Sequence, residues 1–401
     1  MTRFQKLAPL LLLCFSSVVL AAVVSEAWLA IAKINTKAYD RYVPGKGTTY
    51  VPGAYYRHTK EGYSEGYINS HGFRDYERTY EKPANTFRIV VLGDSYVEAL
   101  QVALDKAFPS VLEKRLNENS SATKFEVLNL GQSGFGTADA YMRYLNFGVK
   151  YSPDLVILAF LTDNDISDNS KFLNRENVAF YFTFDQSGKL VLDRTLFNRY
   201  EKTLSFGKRV FHAIKQRSYL ASLISERLYL LRLQIRNHSD RDNAREQQSR
   251  SDSGRMDEFS HLNIYRADMS RSWREAIVVT EAILRKFRDE VEANGSKFVL
   301  VTLSNAEQLQ PEVQEALRKH YRIDFDFEQP DRIIGEFATR EQITQLQLMP
   351  LLREFHLQTG TYVHGFGGSK GGHWNETGHR LAAEKIFEFL KLNSLVPVGS
   401  V

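Results

Sequence analysis

Four side chains or backbone groups of this sequence could take part in acyl chemistry, and three of them stand where an apolar run ends. Ser95 follows Gly93-Asp94 directly after Ile89-Val90-Val91-Leu92. A serine between a strand and a helix can attack a carbonyl while its own N–H helps hold the oxyanion that forms. Free N–H groups at a helix start favour negative charge there. Asp94 and Ser95 are also ordinary helix caps. Gly134 lies in Gly131-Gln132-Ser133-Gly134-Phe135-Gly136, where glycines allow close backbone approach or simply make a turn. The spacing there is G-x-x-G-x-G, and no acidic residue ends a following strand, so it is not a dinucleotide fingerprint. Asn164 follows the apolar run that closes at Phe160 and offers an amide donor, with Asp165 able to orient the loop. Both are also common turn formers. His373 sits in a loop just before the last helix, and an imidazole with a pKa of about 6.5 is a natural base for a serine hydroxyl. A locally bonded loop histidine is the plainer alternative. His379 falls inside that helix, where it caps or packs.

The elements that must position these groups alternate. Continuous apolar segments, 87–92, 124–130, 153–160 and 297–303, read as buried parallel strands, with 361–363 as a short last strand. Helical patterns cover 105–117, 138–148, 273–293 and 311–320, part of 345–355, and the C-terminal segment to about 392. Asn294-Gly295 stops the long one. Strands alternating with helices predict a parallel sheet covered on both faces. Between about 166 and 271 the pattern breaks into an insertion. It holds a short β excursion near 180–192, an amphipathic helix over 218–236 and a polar, flexible stretch, 237–256. The insertion reads equally as a lid or as a surface excursion.

The 401 residues, 43% hydrophobic and 25% charged, suffice for one large core with additions. A net charge of +4 gives no case for nucleic acid. The single cysteine, Cys14, lies in the apolar leader, so the folded part has neither a disulfide nor a cysteine-based metal site. Arg3 and Lys6 precede a nearly unbroken apolar run from Leu7 to Val24, resumed after Glu26 by Trp28-Leu29-Ala30-Ile31-Ala32. Its length lies between a signal-peptide core and a spanning helix of about 20 residues. The reading adopted is an uncleaved membrane anchor over 1–37, with secretion after cleavage near Ser25 as the alternative. Residues 38–84 form a Tyr- and Gly-rich arm, expected to cover the core rather than to bind a ligand.

Gly93-Asp94-Ser95, Gly134, Asn164-Asp165 and His373 occur in order at the ends of successive elements. As an ordered set they resemble the four blocks of the SGNH (GDSL-type) hydrolase superfamily over about 85–393. The segment from Asn69 to Arg74, and His373-Trp374-Asn375 with Gly378-His379, are similar to its membrane-anchored or exported bacterial branch. The resemblance implies a flavodoxin-like three-layer α/β/α sandwich. It implies Ser95 as nucleophile and His373 as base. It makes the Ser95 N–H, the Gly134 N–H and the Asn164 side chain an oxyanion hole, with Asp94 and Asp165 supporting. No metal or organic cofactor is implied. One departure stands out: the family's usual Asp three residues before the histidine is Lys370 here. His373 is therefore expected to lack its acid, leaving a Ser-His dyad held by a backbone carbonyl, or by a substitute such as Asp94, Asp163 or Asp165. The expected activity is hydrolysis of an acyl ester, for instance O-acetyl, of cell-envelope carbohydrate by a domain outside a bacterial inner membrane. O-acyl transfer, or glycan binding by a catalytically poor relative, are the alternatives.

Overall fold

The computed structural model describes residues 3–174, 179–232 and 256–397. The expected flexible stretch 237–256 lies outside the described residues except for Met256. The chain opens with a single helix, α1 (Arg3–Ala32), of which Pro9–Ala32 is long and apolar enough to cross a membrane, with a mean hydropathy of 2.3. The arm follows as two antiparallel hairpins, β1 (Asp40–Val43) with β2 (Gly47–Tyr50) and β3 (Tyr55–His58) with β4 (Ser64–Tyr67). Neither joins the main sheet.

That sheet is built from β5 (Thr86–Leu92), β6 (Lys124–Asn129), β7 (Leu155–Phe160), β10 (Lys297–Thr302) and β11 (Gln345–Gln347), all parallel. Across the sheet the order is β11-β10-β7-β5-β6. Numbered by appearance this is 2-1-3-4-5, the flavodoxin-like order, whose direction reverses between its first and third strands. Side chains alternate along each strand. Ile89 and Val91 therefore enter a core under α3 (Phe108–Glu118), α13 (Leu348–Thr359) and α14 (Glu376–Leu392). Val90 and Leu92 enter the opposite one under α4 (Thr137–Asn146), α9 (Arg271–Ala293) and α12 (Gln329–Arg340). The fold is thus the three-layer α/β/α sandwich expected. β7 is buried at all six positions, which is why its sequence is continuously apolar rather than alternating.

Two differences from the sequence reading concern the edge. The fifth strand is Gln345–Gln347, not 361–363. It is short and polar on both sides of Leu346, so it carries no strand signal. It is recruited because Leu300, Val301 and Thr302 of β10 offer an unpaired edge to Gln345, Leu346 and Gln347. Residues near 363 make only an isolated bridge, His364 to Trp374. Inside the insertion, β8 (Tyr181–Phe184) and β9 (Leu190–Asp193) form the expected β excursion. The short helices α5 (Asn164–Asp168), α6 (Thr195–Thr203) and α7 (Phe206–Lys215) flank it, and α8 covers 219–232; α10 (Ala306–Leu309) and α11 (Pro311–Tyr321) follow β10.

Candidate active site

The sheet reverses direction between β5 and β7, and both strands deliver candidate residues at their carboxyl ends. Ser95 opens α2 (Ser95–Glu98), capped by Asp94, whose carboxylate accepts the Tyr96 N–H at 2.9 Å. Gly93 is needed at this turn, because a Cβ there would stand 2.6 Å from the Ala159 carbonyl oxygen of the neighbouring strand. Asn164 opens α5 after β7, and its amide donates to Asp94 at 3.4 Å. Asp165 is buried and accepts the Leu161 N–H at 3.0 Å, holding the loop that carries Asn164. Burial pushes the Asp94 carboxyl up to about 6 and the Asp165 carboxyl well above the usual carboxylate range.

His373 reaches the same spot from the loop before α14. Its Nε2 lies 2.8 Å from Ser95 Oγ, and its ring packs on Tyr96 with centroids 5.1 Å apart. The Tyr96 hydroxyl in turn donates to the Gly372 carbonyl at 3.3 Å, fixing the loop against α2. Trp374, fully buried, anchors the loop from behind and donates its indole N–H to Ser304. His379 packs instead: it is buried, lies parallel to Phe108, and has its pKa lowered to about 3 by burial.

The expectation that His373 has no acid is corrected by the arm. Glu61, in the turn between β3 and β4, places Oε2 2.6 Å from His373 Nδ1, while its Oε1 accepts the His373 backbone N–H at 2.7 Å. Ser95, His373 and Glu61 thus form one hydrogen-bonded row. None of the suggested substitutes holds the ring: Asp94 caps α2, Asp163 takes the Asn164 N–H, and Asp165 takes Leu161. Lys370 is turned away, with its ammonium 2.7 Å from the Tyr362 hydroxyl and 3.9 Å from Glu312. Gly372 leaves the space Glu61 occupies: it holds φ +94, and any Cβ there would run into the Glu61 carboxylate.

The arm reaches this point through polar latches. Tyr63 N donates to the Gln101 carbonyl at 3.1 Å, and the Ser64 hydroxyl donates to the Leu100 carbonyl, so the hairpin turn is pinned to the segment after α2. Arg74, fully buried, donates to Tyr56 Oη at 2.9 Å and to the carbonyls of Glu98 at 2.7 Å and Val102 at 2.5 Å. Glu98, also buried, accepts from the Tyr50 hydroxyl on the arm and from both the N–H and hydroxyl of Ser133. It therefore ties arm, α2 and glycine loop together and holds Ser133 beside Gly134. Gly134 itself is exposed at φ +78, in open space. Sequence reading missed Glu61, Arg74 and Glu98 as site builders. The available signal was a Glu-Gly turn between two alternating tyrosine segments, read as packing only.

Beside Asn164, Asp163, His261 and Glu307 bring their ligand atoms within 4.8 Å of one another, the one such group of metal-ligand type found among the described residues. His261 pairs with Glu307 at 3.4 Å, and that hydrogen bond pushes the imidazole pKa up to about 9.

No family model and no curated protein matches the sequence. Among solved structures the chain is similar to TesA, at 14% identity over 76% of this chain and 98% of that one, with a TM-score of 0.37. It is similar to the acetyl xylan esterase AlAXEase at 11% identity over 75% and 98%, with a TM-score of 0.40. It is also similar to a catalytic mutant of an acetylxylan esterase from Geobacillus stearothermophilus, at 13% identity over 76% and 94%, with a TM-score of 0.39.

Proposed function

We propose that this protein is a serine ester hydrolase of the SGNH type that works through a Ser95-His373-Glu61 triad. The observation that carries the reading is His373, bonded on one ring nitrogen to a helix-start serine and on the other to a carboxylate. In this mechanism Ser95 Oγ attacks the acyl carbonyl as its proton passes to His373 Nε2. Glu61 accepts the Nδ1–H, which fixes the tautomer and stabilises the imidazolium. The tetrahedral oxyanion is held by the Ser95 N–H, the Gly134 N–H and the Asn164 amide. Collapse breaks the ester C–O bond, His373 returns its proton to the leaving alcohol, and water then releases the acid by the same route in reverse. Each oxyanion donor is worth about 3–4 kcal/mol of transition-state stabilisation.

The substrate we infer is an acyl ester, such as an O-acetyl ester, of carbohydrate in a bacterial cell envelope. α1 acts as a single-pass anchor that holds the domain on the outer side of the inner membrane. Glu61 also weakens the case for a catalytically poor binding protein, which stood on Lys370.

The test is hydrolysis of nitrophenyl esters from acetyl to octanoyl, and of an acetylated xylooligosaccharide, by the full chain in detergent. Turnover that favours acetyl and disappears in Ser95→Ala is the expected result. A folded wild type with no turnover on any of these esters overturns the reading.

A further inference from the structure

The helices α7 and α8 of the insertion carry apolar faces turned to solvent. On α7, Phe206, Val210 and Ile214 recur every four residues with Phe211 beside them, and Phe206 is 83% exposed. On α8, Ile224, Leu228 and Leu231 line one face and are all exposed. Lys208 and Arg209 fall on the other side of α7 by helical spacing, while Lys215 lies over the Phe211 ring. An exposed apolar stripe with a basic far face is the pattern of a helix that lies in a membrane interface rather than one that awaits a soluble core.

The second observation is where these helices are attached. The Glu26 carboxylate on α1 accepts from the Ser218 hydroxyl at 2.8 Å, the Tyr219 N–H at 2.8 Å and the Leu220 N–H at 2.9 Å. It is a side-chain cap supplied from another helix. Asn35 donates to the Tyr219 carbonyl at 2.9 Å, Ala38 N donates to the Lys215 carbonyl at 3.2 Å, and Lys37 lies over the Tyr219 ring. The junction of α7 and α8 is therefore stapled to the last two turns of the apolar helix through Glu26 and to the segment just after it through Asn35, Lys37 and Ala38. A carboxylate inside an apolar span is expensive unless partnered. Here its partners are the insertion's own N–H groups, which sets α8 at the level where α1 leaves the apolar layer, about 9 Å of helix before Ala32.

We infer that α7 and α8 seat on the lipid surface beside the anchor, apolar stripes among acyl chains and basic face toward anionic headgroups. The occupant of these faces is thus the bilayer that holds α1. The insertion is then a second membrane attachment for the catalytic domain. The inference rests on the anchor reading of α1, and the experiment separates the two.

The full chain carrying Cys14→Ser is reconstituted into bilayers of phosphatidylcholine and phosphatidylglycerol. Single nitroxide labels are placed through Leu11→Cys, Lys208→Cys, Phe211→Cys or Leu228→Cys, and collision with oxygen and with a nickel chelate is measured. The expected result is an oxygen-to-nickel ratio at 211 and 228 severalfold above that at 208 and approaching that at 11. A lipid-like ratio at 11 with water-like ratios at 211 and 228 overturns the inference and leaves the anchor intact. A water-like ratio at 11 overturns the anchor and the inference with it. Shielding of 211 and 228 from both collision partners, with spin–spin broadening, shows a second copy on these faces and also overturns the inference.

Discussion

The two halves of the candidate site rest on different physics. Ser95, Asn164 and the glycine loop stand at the carboxyl ends of strands whose positions are set by buried, continuously apolar sequence and parallel pairing. Any open parallel sheet of this order presents its loops there. Glu61 comes instead from a hairpin outside that sheet, placed by polar contacts to the segment after α2, by the buried Arg74 and by a small apolar cluster of Tyr50, Tyr56 and Ile68 against Leu100. The geometry of Ser95 is therefore as robust as the core, whereas the orientation of His373 depends on whether the arm is docked. The arm is not merely a cover over the core.

The difference can be broken at its most sensitive point first. Glu61→Gln keeps the shape of the side chain but removes the charge that fixes the imidazole tautomer. The kcat for a nitrophenyl ester is expected to fall about 10⁴-fold with the melting temperature little changed. An unaltered kcat would mean that the arm carboxylate has no part in the chemistry. Next in size, Arg74→Met leaves two carbonyls and a hydroxyl without their buried donor and should destabilise arm docking by roughly 3 kcal/mol. Hydrogen exchange read by mass spectrometry should then rise across 40–67 while 86–92 stays protected; uniform loss of protection would show that arm and sheet unfold as one unit. Smaller again, Gly372→Ala pushes the Glu61 carboxylate aside and should lower kcat about 10²-fold, with KM nearly constant. An enzyme with normal kcat would show that the loop yields without moving the acid.

The smallest effect concerns the Asp163, His261 and Glu307 cluster beside Asn164. His261 has its pKa raised to about 9 by Glu307, above its unfolded value. Its contribution to stability is therefore fully present below about pH 6.5 and is lost as pH rises through 9. His261→Gln should flatten the melting temperature against pH across that window, and the change should be small because the ring is partly exposed and screened. A variant that keeps the wild-type slope would assign that slope to other groups.

What could be read from sequence follows the same division. The strands β5, β6, β7 and β10 were legible because burial on both faces writes an apolar run. Their ends were legible because glycine, aspartate and asparagine mark turns. β11 was not, since a three-residue edge strand with one buried side chain leaves no periodicity. Glu61 was not, because the relation between residues 61 and 373 is made by tertiary contacts of the arm, and nothing local to Glu-Gly distinguishes it from any exposed turn. Lys370 pointed the wrong way for the same reason. A missing acid at one position says only that the carboxylate, if there is one, arrives from elsewhere.

The most direct test of the triad is the rate at which a fluorophosphonate labels the full chain in detergent, followed by intact mass and peptide mapping. Wild type, Ser95→Ala, His373→Ala and Glu61→Gln would be run together. A phosphonyl adduct on Ser95 that is absent from the serine and histidine variants and forms orders of magnitude more slowly in Glu61→Gln is the result predicted here. Labelling of Glu61→Gln at the wild-type rate, or no adduct on a folded wild type, would contradict it.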